Sequence, residues 1–371
     1  MAKIFSIAQR MAKLDASGIR KVFDLAATMK DPINLSIGQP DFDVPEPVRQ
    51  EAAAAIARGF NKYTQTQGTA ELRAAVGKLL EAEFGWKDQR PILITSGVSG
   101  ALLLAFMSLI NPGDEVIILE PYFVMYSHLV NLCGGVPVCI STYPSFRVDI
   151  QRVAEAVTPR TKMLLVNSPC NPTGAVYTRQ ELEGLAAVAR KHGLLVVSDE
   201  IYNGFCYDEP FISMAGLYEH TLLMRGFSKT YAMTGWRLGW CTGPANVLEK
   251  MTMLQQYSFV CAPSMAQAAG IVALGLDVST FLADYRRKRD MVFAALGEPF
   301  GLVKPGGAFY AFVPAPKGQT ATEFVTKAIK NNVLVIPGNV FSTQDTHFRL
   351  SYATSDEKLA RGLEILVKLA S

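Results

Sequence analysis

Between Pro91 and about Gly243 the chain alternates short apolar runs with longer stretches whose apolar residues recur at helical spacing. The runs fall at 92–95, 115–119, 136–140, 163–166, 194–198, 222–225 and 238–241. They are rich in Val, Ile and Leu and lack strict in–out alternation, the pattern of strands buried on both faces. The helical stretch 179–192 stops at Gly193, a C-terminal stop signal. Such alternation predicts an α/β domain around a mostly parallel sheet.

The C-terminal third reads differently. Helical stretches at 278–296, 321–331 and 356–369 alternate with strands at 308–313 and 347–352, which predicts a smaller α+β domain. Thr354 and Ser355 are N-cap candidates for the last helix. The first forty residues hold one helix, at about 17–29, and then an extended stretch. They are too few to fold alone and are expected to pack on one of the two domains.

Several function classes fall away on charge and cysteine usage. With 36 Lys+Arg against 33 Asp+Glu, the net charge of +3 leaves no electrostatic footprint for nucleic acid. The densest basic run, Arg286 to Arg289, reads as a solvated helix face. Cys133, Cys139, Cys170, Cys206, Cys241 and Cys261 form no C-x-x-C pair and no cluster with histidine, which argues against a metal site. Their lack of framework spacing predicts reduced thiols and a cytoplasmic protein. The N-terminus lacks a signal-peptide pattern. The longest apolar run, 101–110, is far shorter than the ~20 residues of a membrane span.

In open α/β sheets, ligands bind beyond the carboxyl ends of the strands. After the first strand comes SGVSGA from Ser96, small residues opening a helix, which reads either as a plain turn or as a phosphate seat on a helix N-terminus. It has neither a Walker ending nor G-x-G-x-x-G, which argues against a dinucleotide protein. NSPCNPTG follows the fourth strand from Asn167, and SDEIY follows the fifth from Ser198. Asp199 is either a helix N-cap or a buried charge that needs a strong partner. After the sixth strand comes GFSKTYAMTGWRLGW from Gly226. Lys229, among Phe227, Tyr231, Met233 and Trp236, would be partly desolvated and so a better nucleophile. Pyridoxal 5'-phosphate needs an amine for its aldehyde, an anion at its ring nitrogen, donors to its phenolic oxygen and a phosphate clamp. Lys229, Asp199, Tyr202 with Asn171, and Arg237 with Ser99 match those needs in that order.

The chain resembles the class I/II aminotransferases, the aspartate-aminotransferase-like group of pyridoxal-phosphate fold type I. The resemblance rests on ten segments in order. They are IRKVFDLA, LSIGQPDFDVPEPV from Leu35, YTQTQGTAELR from Tyr63, SGVSGA, PGDEVIILEPYFVMY from Pro112, NSPCNPTG, SDEIY, SKTYAMTGWRLGW, KPGGAFYAF from Lys304 and FRLSYA from Phe348. It implies a large cofactor-binding domain over 45–280 and a small domain built from 1–44 and 281–371. It implies amino-group transfer from an L-amino acid to a 2-oxo acid, such as 2-oxoglutarate, by a ping-pong route. Lys229 resembles the Schiff-base lysine and proton shuttle, and Asp199 the partner of the ring nitrogen. Tyr202 and Asn171 resemble the donors to the phenolic oxygen, and Phe123 the aromatic against the ring. Val98, Ser99, Ser228 and Arg237 resemble the phosphate clamp. Arg349, with Gly38 and Asn171, resembles the grip on the substrate α-carboxylate. Tyr63 resembles the tyrosine that reaches the neighbouring subunit's phosphate, which implies a homodimer with shared sites. Cis bonds are implied at Glu120–Pro121 and Asn171–Pro172. Some relatives carry lysine where this chain has Ser99, a residue that favours dicarboxylate donors. Two other readings compete. A C–S lyase of the cystathionine β-lyase kind shares most of these residues. A DNA-binding regulator built on this fold would need a leading domain, for which the pattern leaves no room before about residue 17.

Overall fold

The computed structural model describes residues 5–14, 18–86 and 90–370. In chain order the strands are β1 (Ile33–Asn34), β2 (Ile92–Thr95), β3 (Glu115–Glu120), β4 (Val136–Ser141), β5 (Thr161–Asn167) and β6 (Leu195–Asp199). They continue with β7 (Thr221–Gly226), β8 (Gly239–Thr242), β9 (Tyr310–Pro314), β10 (Val333–Leu334), β11 (Ile336–Pro337) and β12 (His347–Ser351). Strands β2 to β8 form one seven-stranded sheet in the order β2-β8-β7-β6-β5-β3-β4. Each lies within a residue or two of its sequence expectation. Every residue of β3 is buried, as a strand covered on both faces requires.

The sheet is parallel except at β8, which runs antiparallel to both β2 and β7. The cause lies in the connection. A parallel return needs a crossover, usually a helix, whereas 227–238 folds as turns without a helix and brings the chain straight back. The reversal places the residues just before β8 at the same sheet end as those just after β7.

The C-terminal third forms the antiparallel sheet β11-β12-β9. The early strand β1 pairs with β10, so the residues around Leu35 lie against the C-terminal third, as expected of the first forty. The early helix covers Gly18–Ala26, shorter than the expected 17–29, and residue 17 falls outside the described residues. Ser355 caps the last helix, accepting from the Lys358 N–H at 3.4 Å. Cis peptides occur at Glu120–Pro121 and Asn171–Pro172, as expected, and also at Tyr143–Pro144 and Ser168–Pro169.

The basic run at 286–289 is not a solvated face throughout. It lies on the helix Ser279–Phe300, where Lys288 and Arg289 are buried. Lys288 Nζ meets Asp41 at 2.5 Å and Asp284 at 3.0 Å. Arg289 donates to Asp208 and to the Pro305 carbonyl, each at 2.7 Å. Most of these partners are remote in sequence, so charge spacing along the helix could not reveal them.

Candidate active site

The carboxyl ends of β2, β3, β5, β6 and β7, with the start of β8, converge on a cavity of about 240 Å³. Gly38, Val98, Ser99, Phe123, Asn171, Asp199, Tyr202, Ser228, Lys229, Arg237 and Arg349 all line it. Most of these residues arrive there because strands of the seven-stranded sheet deliver them to the same end, while Gly38 follows β1 and Arg349 comes from β12 of the smaller sheet.

Asp199 ends β6 and is buried. Its Oδ2 accepts from Tyr126 Oη at 2.8 Å and its Oδ1 from the Ile201 N–H at 3.2 Å. Burial pushes its carboxyl up to about 6, against those two donors. Asn167 donates to the Asp199 carbonyl at 2.9 Å and fixes the strand end. The adjacent Glu200 serves another purpose. Ser198, Ser213 and the buried Arg225 satisfy it, and Arg225 in turn pairs with Glu83.

Lys229 lies three residues beyond β7. Its Nζ donates to the Gly38 carbonyl at 2.6 Å. Burial first, then the Arg349 and Arg237 charges, push the amine down to about 8. The rings nearest Nζ belong to Tyr202 at 5.8 Å and Phe309 at 5.9 Å. The apolar residues expected to desolvate it from within its own motif pack elsewhere: Phe227 and Met233 sit in a separate core cluster, with Tyr231 and Trp236 against it.

The helix Gly97–Leu109 points its N-terminus at the cavity, and its N-cap Ser96 makes no side-chain cap bond. Gly97 has φ +69°, and a methyl group there would stand 2.7 Å from Arg237 Nη2. Only glycine lets the guanidinium lie against the first turn. Arg237 donates to the Thr234 carbonyl at 2.9 Å and the Ser96 carbonyl at 3.4 Å, which leaves other donors free for an anion.

Arg349 is delivered by β12 and is 1% exposed. Its guanidinium carbon lies over the rings of Tyr310 at 4.5 Å and Phe341 at 4.7 Å. Nη1 donates to Asn171 Oδ1 at 3.0 Å and Nη2 to the Ser36 carbonyl at 2.7 Å. Nε is buried without a hydrogen-bond partner among the described residues. A buried, half-satisfied cation at a cavity wall is a socket for a carboxylate.

A family model for aminotransferases of class I and II matches residues 30–366. The protein belongs to that family. The aminotransferase is 41% identical over 95% of its length to the putative aminotransferase YugH of Bacillus subtilis, of which the match covers 95%. It is 39% identical to aromatic-amino-acid aminotransferase 2 of Thermococcus litoralis, with 98% of each chain covered. Its structure superposes on that of the aspartate aminotransferase of Thermus thermophilus with maleate at a TM-score of 0.94 and 37% identity, over 99% of this chain and 100% of that one. The fold is the α/β fold type I, and the chain is a transaminase. Its family acts on amino and 2-oxo acids with pyridoxal 5'-phosphate. These matches do not favour the C–S lyase alternative. No helix among the described residues is long and apolar enough to cross a membrane.

Tyr63 alone of the expected site residues is absent from the aminotransferase's cavity. It is 84% exposed. Conversely, sequence reasoning passed over Tyr126 and Tyr310, which both line the site. Tyr126 stands three residues after Phe123, and Tyr310 follows GGAF, so both lay inside the segments that carry the resemblance without being singled out.

Proposed function

We propose that the chain binds pyridoxal 5'-phosphate on Lys229 and moves an amino group from an L-amino acid to a 2-oxo acid. The observation that carries this reading is the convergence of Lys229, Asp199 and Arg349 on one cavity beside the Gly97 helix N-terminus. The donor set fits the cofactor. Arg237, Ser99, Ser228 and the Val98 N–H would hold its phosphate, and Asp199 its ring nitrogen. Tyr202 and the Asn171 amide would hold its phenolic oxygen, and Phe123 its ring face. Once bound, the group supplies an electron sink for the pair left at the substrate Cα. Lys229 Nζ, depressed to about 8 and therefore partly neutral near pH 7–8, takes that Cα proton and returns it. Arg349, at the cavity wall, orients the α-carboxylate, supported by the Gly38 backbone.

Ser99, Ile19 and Leu102 line the cavity without charge, which supports donors with apolar or aromatic side chains ahead of aspartate. The test is a screen of purified protein against all amino acids with 2-oxoglutarate. Apolar donors are expected to lead. Aspartate at least as fast as any of them would overturn the preference, and no transfer from any donor would overturn the assignment.

We further infer a homodimer with shared sites. Tyr63, Tyr257, Phe259 and Val260 expose apolar surface close together. Gln255 and Gln267 bind the two loops that carry them, donating to the Thr66 carbonyl at 2.6 Å and Thr64 Oγ1 at 3.0 Å. Phe259 reaches the helix beside Ser99: a methyl group at Gly100 would lie 3.7 Å from its ring. A second copy seated here would bring its own Tyr63 toward the phosphate clamp. Tyr63→Phe is then expected to weaken cofactor retention. Mixing Tyr63→Phe with Lys229→Ala subunits at limiting cofactor should restore roughly one quarter of the sites, since each hybrid dimer holds one intact site. No recovery despite proven exchange, or a monomeric active protein, would sink the shared-site reading. Within each subunit, residues 45–280 would form the cofactor domain, and 1–44 with 281–371 the small domain. The six unpaired thiols support a cytoplasmic setting.

A further inference from the structure

Tyr310 occupies a position that no motif role explains. It opens β9, which pairs with the strand carrying Arg349, Phe312 lying opposite Arg349 itself. Its side chain is 1% exposed and makes two contacts with different parts of the site. The ring lies 4.5 Å from the Arg349 guanidinium carbon. The hydroxyl lies 2.9 Å from the Tyr202 hydroxyl. The two rings meet nearly edge to face, 5.7 Å apart at 82°. Gly38 closes the other side, where a methyl group would run into the Tyr310 hydroxyl.

Resting on the functional reading above, we propose that Tyr310 is a positioning residue that joins the two halves of the site. Its ring holds the Arg349 guanidinium for the substrate carboxylate, and its hydroxyl turns the Tyr202 O–H toward the cofactor's phenolic oxygen. The contact itself lets either oxygen donate, and a phenolic oxygen accepting from Tyr202 would select Tyr310 as the donor. Burial keeps both phenols protonated, so each has one hydrogen to donate. Among the described residues the Tyr310 hydroxyl has only Tyr202 Oη as a hydrogen-bond partner. When Tyr310 donates to that oxygen, the Tyr202 hydrogen is free to point into the cavity. A donated hydrogen bond also polarises the Tyr202 O–H and strengthens the bond it makes onward. The ring acts separately: an aromatic face under a desolvated guanidinium holds it by cation–π attraction. With the Phe341 ring also 4.7 Å from the guanidinium carbon, Arg349 is held by two aromatic rings, which limits the rotamers its fork must search to meet a carboxylate.

Two substitutions separate the two contacts. Tyr310→Phe keeps the ring and removes the hydroxyl. The bound cofactor's pH-dependent absorption change, followed without substrate, should then move its midpoint up by about half a pH unit, because a weaker donor stabilises the anionic oxygen less. KM for 2-oxoglutarate should stay within about twofold of the wild type, since the ring remains. Tyr310→Leu should show the same midpoint shift and a KM about tenfold higher. A purely structural tyrosine would leave the midpoint in place. Wild-type protein that takes up no pyridoxal phosphate overturns the functional reading and this proposal with it. A loaded, active wild type whose Tyr310→Phe variant keeps the wild-type midpoint overturns the proposal alone. So does a Tyr310→Leu variant that folds and keeps the wild-type KM. Should the Leu variant not fold, the isosteric Phe variant still decides the role of the hydroxyl.

Discussion

Lys229→Ala protein is expected to lose transamination by about 10⁴-fold or more with every donor, while still folding. The size follows from two duties that meet at one atom. In the proposed reading Nζ is the amine that would carry the cofactor and the base that would take the Cα proton. No neighbour can substitute. Among the described residues the other cations lining the cavity are Arg237 and Arg349, and a guanidinium neither forms the attachment nor accepts a proton near neutral pH. Folding should survive because the native lysine makes one side-chain hydrogen bond, to the Gly38 carbonyl, worth about 1 kcal/mol. Removing a desolvated cation offsets part of that loss. Steady-state rates measure the first claim and thermal melting the second. Borohydride reduction of the loaded wild type, followed by peptide mass spectrometry, should place the adduct on Lys229. An adduct on another lysine, or a variant within about a hundredfold of the wild type, would refute the assignment.

The legible parts of this protein are those fixed by local composition. The strands β2 to β7 stand out because a strand buried on both faces must be apolar throughout, and the site motifs stand out because each follows such a strand. What was not legible depends on partners distant in the chain. The antiparallel sense of β8 comes from a helix-free connection, not from the composition of the strand itself. Lys288 and Arg289 read as solvated because the acids that bury them, Asp41 and Asp208, lie far off in sequence.

The same limit applied to the site. Arg349, in the middle of β12, was named through the family resemblance. Lys229 and Asp199 announce themselves, since charged residues at or just beyond the ends of apolar strands need a reason. Tyr126 and Tyr310 do not, because an aromatic in an apolar segment costs nothing to bury and its hydroxyl's partner is invisible until the fold is closed. Tyr63 marks a further boundary. Its side chain is exposed, and a role for it rests on the proposed shared-site dimer.

Asp199→Asn should lower kcat/KM by about 10²–10³-fold, through loss of charge alone. The amide keeps the shape of the carboxylate, and its oxygen can still accept from Tyr126 or from the Ile201 N–H, so the strand end stays in place. What disappears is the anion that, in the proposed reading, would face the cofactor's ring nitrogen. Without it the protonated ring is not stabilised, and the ring draws electrons from Cα less strongly. The buried carboxyl also predicts a signature in the apoprotein. Burial pushes Asp199 up to about 6, so it is charged above that pH and neutral below it. A neutral Asp199 offers no counter-charge to a protonated ring. Wild-type affinity for pyridoxal phosphate should therefore fall as pH drops through about 6, more steeply than that of Asp199→Asn, which has no carboxyl to protonate. The phosphate of the cofactor titrates in the same range but affects both proteins equally, so the difference between the two profiles isolates Asp199. Parallel profiles, or a variant within tenfold of wild-type kcat/KM, would remove Asp199 from the ring nitrogen.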